Sequence, residues 1–232
     1  MPYRYYEPTV VDWIYPRYGL KDGDTQVSVY GKNFHNFADH LRCNFGSKST
    51  VGRFVNSEYL ICPSPSSDVV GKKISFSISM NKQQNSQQVV DYWYYNMPIV
   101  SELIPNFGPY AGNNTVHIKG ANFDPFKEIA DFTNHNDTRC KLEKIGDKFS
   151  DAFGSDYHDA YGVLTVTNST NAYCVMPENK AGREETMMEI SLNNQQYTDD
   201  NNKYFYFKQP KIYDVEPRSG PTRGGTISIV TG

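Results

Sequence analysis

The sequence predicts an all-β protein built from β-sandwiches in tandem, and three observations favour this class. Short segments alternate between apolar and polar residues, as half-buried strands do. No segment shows a sustained helical periodicity. A proline-glycine phrase occurs three times, at residues 15–19, 104–108 and 216–220. Fifteen residues after each proline comes a glycine, at Gly31, Gly120 and Gly232. The chain is therefore an array of repeated units.

Each repeat is predicted to begin after an aromatic strand. Aromatic runs bounded by polar turns are typical of strands, and three such runs occupy residues 3–6, 92–95 and 204–207. Each phrase is followed by a turn rich in glycine, asparagine or aspartate, and then by a segment with period-two alternation. These segments are Val27-Ser28-Val29, Val116-His117-Ile118 and Ile227-Ser228-Ile229. The alternation predicts strands with their aliphatic side chains on one face.

The first two repeats share landmarks along their whole length. The matching pairs are Asn33 and Asn122, Cys43 and Cys140, Cys62 and Cys174, Pro65 and Pro177, and Asn81 and Asn193. A clearly alternating strand is predicted at residues 74–80, with a looser match at 188–192. Polar Asn/Gln segments then lead into the aromatic runs, which predicts a hairpin with a long loop in each repeat.

The second repeat is longer than the first by 23 residues, and the extra length falls in two segments. Eight residues are added within 121–139 and fifteen within 141–173. Surface loops tolerate such additions at little entropic cost. We interpret residues 1–7 as the last strand of a preceding module, 8–97 and 98–209 as two complete modules, and 210–232 as the start of a third. Residues 97–98 and 209–210 are then proline-bearing junctions.

Charge and hydropathy narrow the possible functions. The formal net charge is −3 and the lysines and arginines do not cluster, so the chain lacks the basic surface of a nucleic-acid-binding protein. No segment is apolar enough to cross a bilayer. Units of about 90 to 110 residues suit a small sandwich. The sequence presents neither a catalytic site nor a cofactor motif.

The four cysteines predict disulfide bonds. They occupy matching positions in the two repeats, which favours Cys43–Cys62 and Cys140–Cys174 over the other pairings. The alternative is buried free thiols in a cytosolic protein. Zinc is disfavoured, because neither pair has CxxC spacing and no set of histidines matches.

Three glycosylation sequons point to the same compartment as the disulfides, at Asn113, Asn136 and Asn168. All three lie in turns or inserted segments of the second repeat. The first twenty residues lack the apolar core of a signal peptide, so we expect the chain to be a fragment whose export signal lies upstream.

These motifs together resemble the IPT/TIG domain, an immunoglobulin-like module of plexins and of transcription factors. The resemblance rests on Pro-x-x-Gly, a Gly-Gly-Thr or Gly-Asp-Thr turn, Val-x-Val-x-Gly-x-Asn-Phe, Cys-Asn-Phe-Gly, Cys-Pro-Ser-Pro and the final Tyr-x-Tyr hairpin. It implies early-set immunoglobulin-like sandwiches in an extended array, a disulfide within each domain, and binding or spacing without catalysis. The second repeat departs from the pattern, since Cys140 lacks a following Phe-Gly and Asn114 replaces the usual threonine.

The leading hypothesis is a non-catalytic adhesion or spacer array at the cell surface or in an extracellular fibre. It would act through protein partners or self-association, with N-linked glycans, no cofactor and no nucleic acid. Two alternatives concern surface sites. Calcium could bind an acidic group in the second insertion, formed by Asp147, Asp151, Asp156, His158 and Asp159, although a solvated loop fits better. Carbohydrate could stack on exposed aromatic residues, for which Trp93 and Tyr95 are candidates. DNA binding, known from intracellular members of the family, is the third class.

Overall fold

The protein is described by a computed structural model over residues 5–37, 40–123, 137–144, 160–180, 182 and 184–232. Two β-sandwiches follow one another along the chain, and a two-stranded hairpin comes after the second. The first sandwich contains β1 (Val10–Tyr15), β2 (Tyr18–Leu20), β3 (Gln26–Lys32), β4 (Arg42–Phe45), β5 (Lys48–Val51), β6 (Arg53–Asn56), β7 (Tyr59–Pro63), β8 (Lys73–Ser79) and β9 (Val90–Tyr95). Its sheets have the strand orders β1-β3-β7-β6 and β2-β9-β8-β4-β5.

The second sandwich repeats this plan, with β13 and β14 longer than the corresponding strands of the first. It contains β10 (Ile99–Ile104), β11 (Phe107–Pro109), β12 (Thr115–Ala121), β13 (Arg139–Lys144), β14 (Ala160–Asn168), β15 (Asn171–Val175), β16 (Glu185–Ser191) and β17 (Asn202–Phe207). Because β14 pairs with both β13 and β15, the two layers join into one sheet of order β10-β12-β15-β14-β13-β16-β17-β11. The predicted hairpins are confirmed, since β8 pairs with β9 and β16 pairs with β17.

The hairpin after the second sandwich reproduces the opening of a module. It consists of β18 (Asp214–Glu216) and β19 (Ile229–Thr231). Val215 pairs with Val230, as Ile14 pairs with Val29 in the first sandwich. The strand predicted at Ile227-Ser228-Ile229 is placed too early, because β19 spans Ile229–Thr231 and its register puts Val230 at the position of Val29.

The repeated prolines and glycines have structural causes. The bonds preceding Pro16, Pro105 and Pro217 are all cis. A Cβ added at Gly19 would overlap the Tyr92 hydroxyl. At Gly31 it would overlap the carbonyl of Val10. The equivalent glycines of the second module, Gly108 and Gly120, meet the same obstacles from Tyr204 and Ile99.

The aromatic strands supply much of both cores. Tyr92, Tyr94, Tyr204 and Tyr206 are buried, which confirms that one face of each run faces the interior. The hydroxyl of Tyr94 donates to the carbonyl of Pro65 at 2.8 Å, and Tyr206 donates to the carbonyl of Pro177 at 2.9 Å. Pro65 and Pro177, which recur at matching positions, therefore lie in the loop to which the tyrosine hydroxyl is hydrogen-bonded in each module. Residues 5–7, the described part of the segment 1–7, form no strand.

Candidate functional site

Three apolar side chains of the first sandwich lie in the core of the second. Tyr18 and Leu20 are on β2, and Tyr95 ends the neighbouring strand β9. All three are buried and belong to the same hydrophobic cluster as the interior of the second sandwich. We call this contact, together with the hydrogen bonds described next, the joint. Because the cluster is continuous across it, bending at the joint would expose apolar surface to water.

A glutamine side chain binds across the joint to the backbone of β3. The Oε1 atom of Gln195 accepts a hydrogen bond from the Gln26 amide at 2.8 Å, and its Nε2 donates to the Gln26 carbonyl at 3.0 Å. Beside it, the hydroxyl of Thr25 donates to Oε1 of Gln196 at 3.3 Å. The paired bonds fix the glutamine loop against the end of β3.

The glutamine loop is shaped by the repeated asparagine. The Oδ1 atom of Asn193 accepts hydrogen bonds from the amides of Gln195 and Gln196, at 3.1 and 3.2 Å. Asn81 makes the same turn in the first sandwich, where its Oδ1 atom accepts hydrogen bonds from the amides of Gln83 and Gln84. Asparagine favours such turns because its short side chain can bond its own backbone two residues on. The sequence repeat contained this signal, but it did not show that the second loop contacts another module.

An aspartate at the end of the first insertion completes the joint. The hydroxyls of Tyr15 and Tyr18 both donate to the Asp137 carboxylate, the latter at 3.3 Å. Asp137 is buried, and this burial raises the pKa of its carboxyl group, while the positive charge of Arg139 opposes the rise. The carboxylate is thus held in place by hydroxyl donors but pays a desolvation cost for its charge.

A disulfide lies inside each sandwich. Cys43 is joined to Cys62 with a Cα separation of 5.9 Å, and Cys140 is joined to Cys174 with a separation of 6.3 Å. A glycine passes over each bond: a Cβ on Gly52 would lie 2.8 Å from the sulfur of Cys43, and one on Gly162 would lie 2.8 Å from that of Cys140. Because the same glycine lies against the disulfide in both modules, it aligns β14 with the first sandwich and places most of the second insertion between β13 and β14.

Two of the three sequons lie in described residues, and both asparagines are exposed. Asn113 sits in the turn before β12 with a φ of 59°. Asn168 opens the turn between β14 and β15, where its Oδ1 accepts hydrogen bonds from the amide and hydroxyl of Thr170 at 2.9 and 3.0 Å. Asn136 lies outside the described residues. Glycosylation of all three stays a prediction.

The sequence placed the exposed aromatic residues wrongly. Tyr95 is fully buried in the joint, and Trp93 is partly buried with the Arg17 guanidinium 5.3 Å from its ring centre. Alternation within β9 put both side chains on the face away from Tyr94, but the second module covers that face.

In the first sandwich an exposed aromatic surface lies instead on the sheet of β1, β3 and β7. The ring of Trp13, which is 50 % exposed, stacks on Tyr30 at 3.9 Å, and Tyr30 stacks on Tyr59 at 5.0 Å. We call Trp13, Tyr30 and Tyr59 the aromatic row. The equivalent row of the second sandwich is polar and includes an ion pair of 3.0 Å between Glu102 and Lys119. The fold therefore does not require aromatic residues here.

The described residues contain no group of histidine, cysteine or acidic side chains suited to a metal ion. The acidic group predicted as a calcium site, at residues 147–159, lies outside them. Within the same described part of the chain, no helix is long and apolar enough to cross a membrane.

Comparison with known proteins identifies the family. The family model of the IPT/TIG domain matches residues 8–92 and 98–206. The chain belongs to the IPT/TIG family. Its two sandwiches are immunoglobulin-like IPT/TIG modules, each built around the core, disulfide and tyrosine contacts described above.

Among curated proteins, the plexin A3 of Danio rerio is 22 % identical over 230 residues, covering 94 % of this chain and 11 % of the plexin. Fibrocystin-L of Mus musculus is 25 % identical over 136 residues, covering 57 % of this chain and 3 % of fibrocystin-L. The solved full extracellular region of plexin A4 covers 92 % of this chain at 17 % identity with a TM-score of 0.56. That structure shares the fold, and this chain spans 18 % of its length.

Proposed function

We propose that this chain is a non-catalytic spacer within an extracellular or cell-surface protein. The joint holds consecutive IPT/TIG modules in one orientation, so that the array sets the distance between the parts it connects. The observation that carries this proposal is the burial of Tyr95 in the core of the following module. Domains in one chain move relative to each other unless the contact is large and hydrophobic, and here the apolar core itself crosses the boundary.

An extracellular or cell-surface setting agrees with two findings. Both modules contain a disulfide, and disulfides persist in oxidising compartments. The similar solved structure is described as the extracellular region of a plexin. In this setting a module array forms part of a receptor stalk, an adhesion protein or a fibre.

Electron microscopy of the secreted protein, combined with its mass from light scattering, tests the spacer function. We expect monomeric particles with one constant angle between the two modules. The Leu20→Asp variant, which places a charge in the joint, should show variable angles. Variable angles in the unmodified protein would contradict the spacer, and end-to-end filaments would assign it to a fibre.

The aromatic row favours a second candidate, a recognition surface on the first module. All three sequons lie in the second module, so no predicted N-glycan is attached to the first. Exposed aromatic residues are enriched at protein interfaces and also stack on sugars. Retention of a purified partner or a glycan that is lost on Trp13→Ala would support this surface, with Lys119→Ala in the polar row as the control. Equal retention by both variants would refute it.

A further inference from the structure

The second module exposes an aromatic surface at the place where the first module forms the joint. We call Phe107, Phe205 and Phe207 the distal surface. Phe107 pairs with Phe205 between parallel strands β11 and β17, in the register in which Tyr18 pairs with Trp93. The backbone hydrogen bonds around the two pairs also match. The Trp93 amide donates to the Arg17 carbonyl at 3.0 Å, and the Phe205 amide donates to the Asn106 carbonyl at 2.9 Å.

The rings occupy the same positions but differ in exposure. The ring centres of Tyr18 and Tyr95 are 6.2 Å apart, and those of Phe107 and Phe207 are 6.3 Å apart. Tyr18 is 4 % exposed and Tyr95 is 0 % exposed, whereas Phe107 is 54 % exposed and Phe207 is 41 % exposed. The difference arises because the second module covers the first pair. The distal surface is thus an uncovered copy of the apolar half of the joint.

The connection that follows each pair has the same length. Three residues separate Tyr95 from Ile99, the first residue of β10, and three separate Phe207 from Lys211. Pro98 immediately precedes Ile99, and Pro210 immediately precedes Lys211. A module attached through the second connection would therefore start at the same offset as the second module does from the first.

The hairpin after this connection opens like a module. Val215 of β18 pairs with Val230 of β19, as Ile14 pairs with Val29 in the first module. A Cβ on Gly232 would overlap the Lys211 carbonyl, just as one on Gly120 would overlap the Ile99 carbonyl, and both pairs are 21 residues apart. The apolar residues of β18 and β19 are largely exposed, including Ile229 and Val230.

We propose that the distal surface is the docking surface for a further IPT/TIG module, which is connected through residues 208–210 and begins with β18 and β19. This rests on the proposed function, because the module would be held by a second joint of the same kind. The new joint differs in one chemical respect. Phe107 lacks the hydroxyl that Tyr18 offers to Asp137, so the docked module should present an apolar group there instead of a carboxylate.

A glycan at Asn113 is compatible with such docking. Asn113 corresponds to Asp24 of the first module, and both have a positive φ, of 59° and 60°. Asp24 remains exposed although the second module is docked beside it. A glycan attached at Asn113 would therefore project from the edge of the new joint and leave its centre free.

Thiol labelling tests the docking in an extended chain, in which residues 1–209 are followed by a second copy of residues 98–209 that carries Asp137→Leu, so that the docked copy presents an apolar group to Phe107. All four native cysteines are in disulfides, so an introduced cysteine is the reactive thiol. Pro109→Cys in the first copy reports on the distal surface, because Pro109 corresponds to the buried Leu20. We expect an uncharged maleimide to react about tenfold more slowly with it in the extended chain than in the 232-residue chain.

Three controls make each outcome decisive. Thr165→Cys in the first copy, on the exposed outer face of β14, should react equally in both chains and shows that the reagent reaches exposed thiols of the second module equally well in both. Adding Phe207→Asp to the first copy in the extended chain should restore fast labelling of Pro109→Cys in that copy. Leu20→Cys in the 232-residue chain should react slowly because the first joint covers it.

Equal labelling of Pro109→Cys in both chains would overturn the docking proposal. If Leu20→Cys is nevertheless protected, the proposed function stands. If Leu20→Cys also reacts fast, both fail. Labelling of Pro109→Cys that is slow in the 232-residue chain and speeds up on dilution would place a second copy of the chain on the distal surface, which also overturns docking of a further module.

Discussion

Removing the side chain of Tyr95 should weaken the whole chain far more than the same change at the equivalent Phe207. Tyr95 is fully buried between the modules, and truncating a fully buried aromatic residue to alanine costs about 3–5 kcal/mol. Phe207 ends the corresponding strand but is 41 % exposed, so Phe207→Ala should cost about 1 kcal/mol. The difference of about 2–4 kcal/mol measures the joint.

Urea unfolding followed by two signals measures this difference. Both tryptophans, Trp13 and Trp93, lie in the first module, but Trp93 also packs against the core of the second, so a Trp93→Phe background leaves Trp13 fluorescence as the signal of the first module. Far-ultraviolet circular dichroism reports on both modules. The two transitions should coincide in the unmodified chain if the joint couples the modules, and Tyr95→Ala should separate them. Equal losses of stability from Tyr95→Ala and Phe207→Ala, with coincident transitions in both, would refute the reasoning.

Three further predictions concern the joint and the core. Gln195→Ala should lower the free energy of unfolding by about 1 kcal/mol in urea titrations, whereas Gln83→Ala in the equivalent exposed loop should change it by under about 0.5 kcal/mol. Since burial raises the pKa of the Asp137 carboxyl, the stability of the joint should fall as pH rises through that pKa. In unfolding curves taken across pH, Asp137→Asn should remove this dependence. An unchanged dependence would contradict the assignment to Asp137. Gly52→Ala should cost about 1–3 kcal/mol in thermal unfolding, because its Cβ would press on the sulfur of Cys43, and an unaltered melting temperature would count against this contact.

Much of each module could be predicted from spacing because the repeated residues are fixed within a module. Asn81 and Asn193 recur because each closes its own hairpin loop. Glycines recur at Gly31 and Gly120 because a neighbouring carbonyl leaves no room for a side chain. Such contacts join residues of one copy, so they appear in both copies at constant offsets.

The joint could not be predicted in this way. Period-two alternation places Tyr95 on the face opposite Tyr94, but alternation does not say what covers that face. The cover includes Asp137, which lies at the end of an insertion that the first module lacks, and Gln195, whose exposed side chain bonds the backbone of Gln26. Contacts between copies leave no repeat of their own, because only one such contact is completed within the described residues.

The distance between two labels, one in each module, tests the central claim that the joint holds one orientation. Spin labels on Glu58→Cys and Thr165→Cys can be placed specifically because both side chains are exposed and the native cysteines are in disulfides. Pulsed electron paramagnetic resonance should give a single narrow distance distribution for the unmodified joint and a broad one after Tyr95→Ala. A broad distribution in the unmodified chain would contradict a fixed joint.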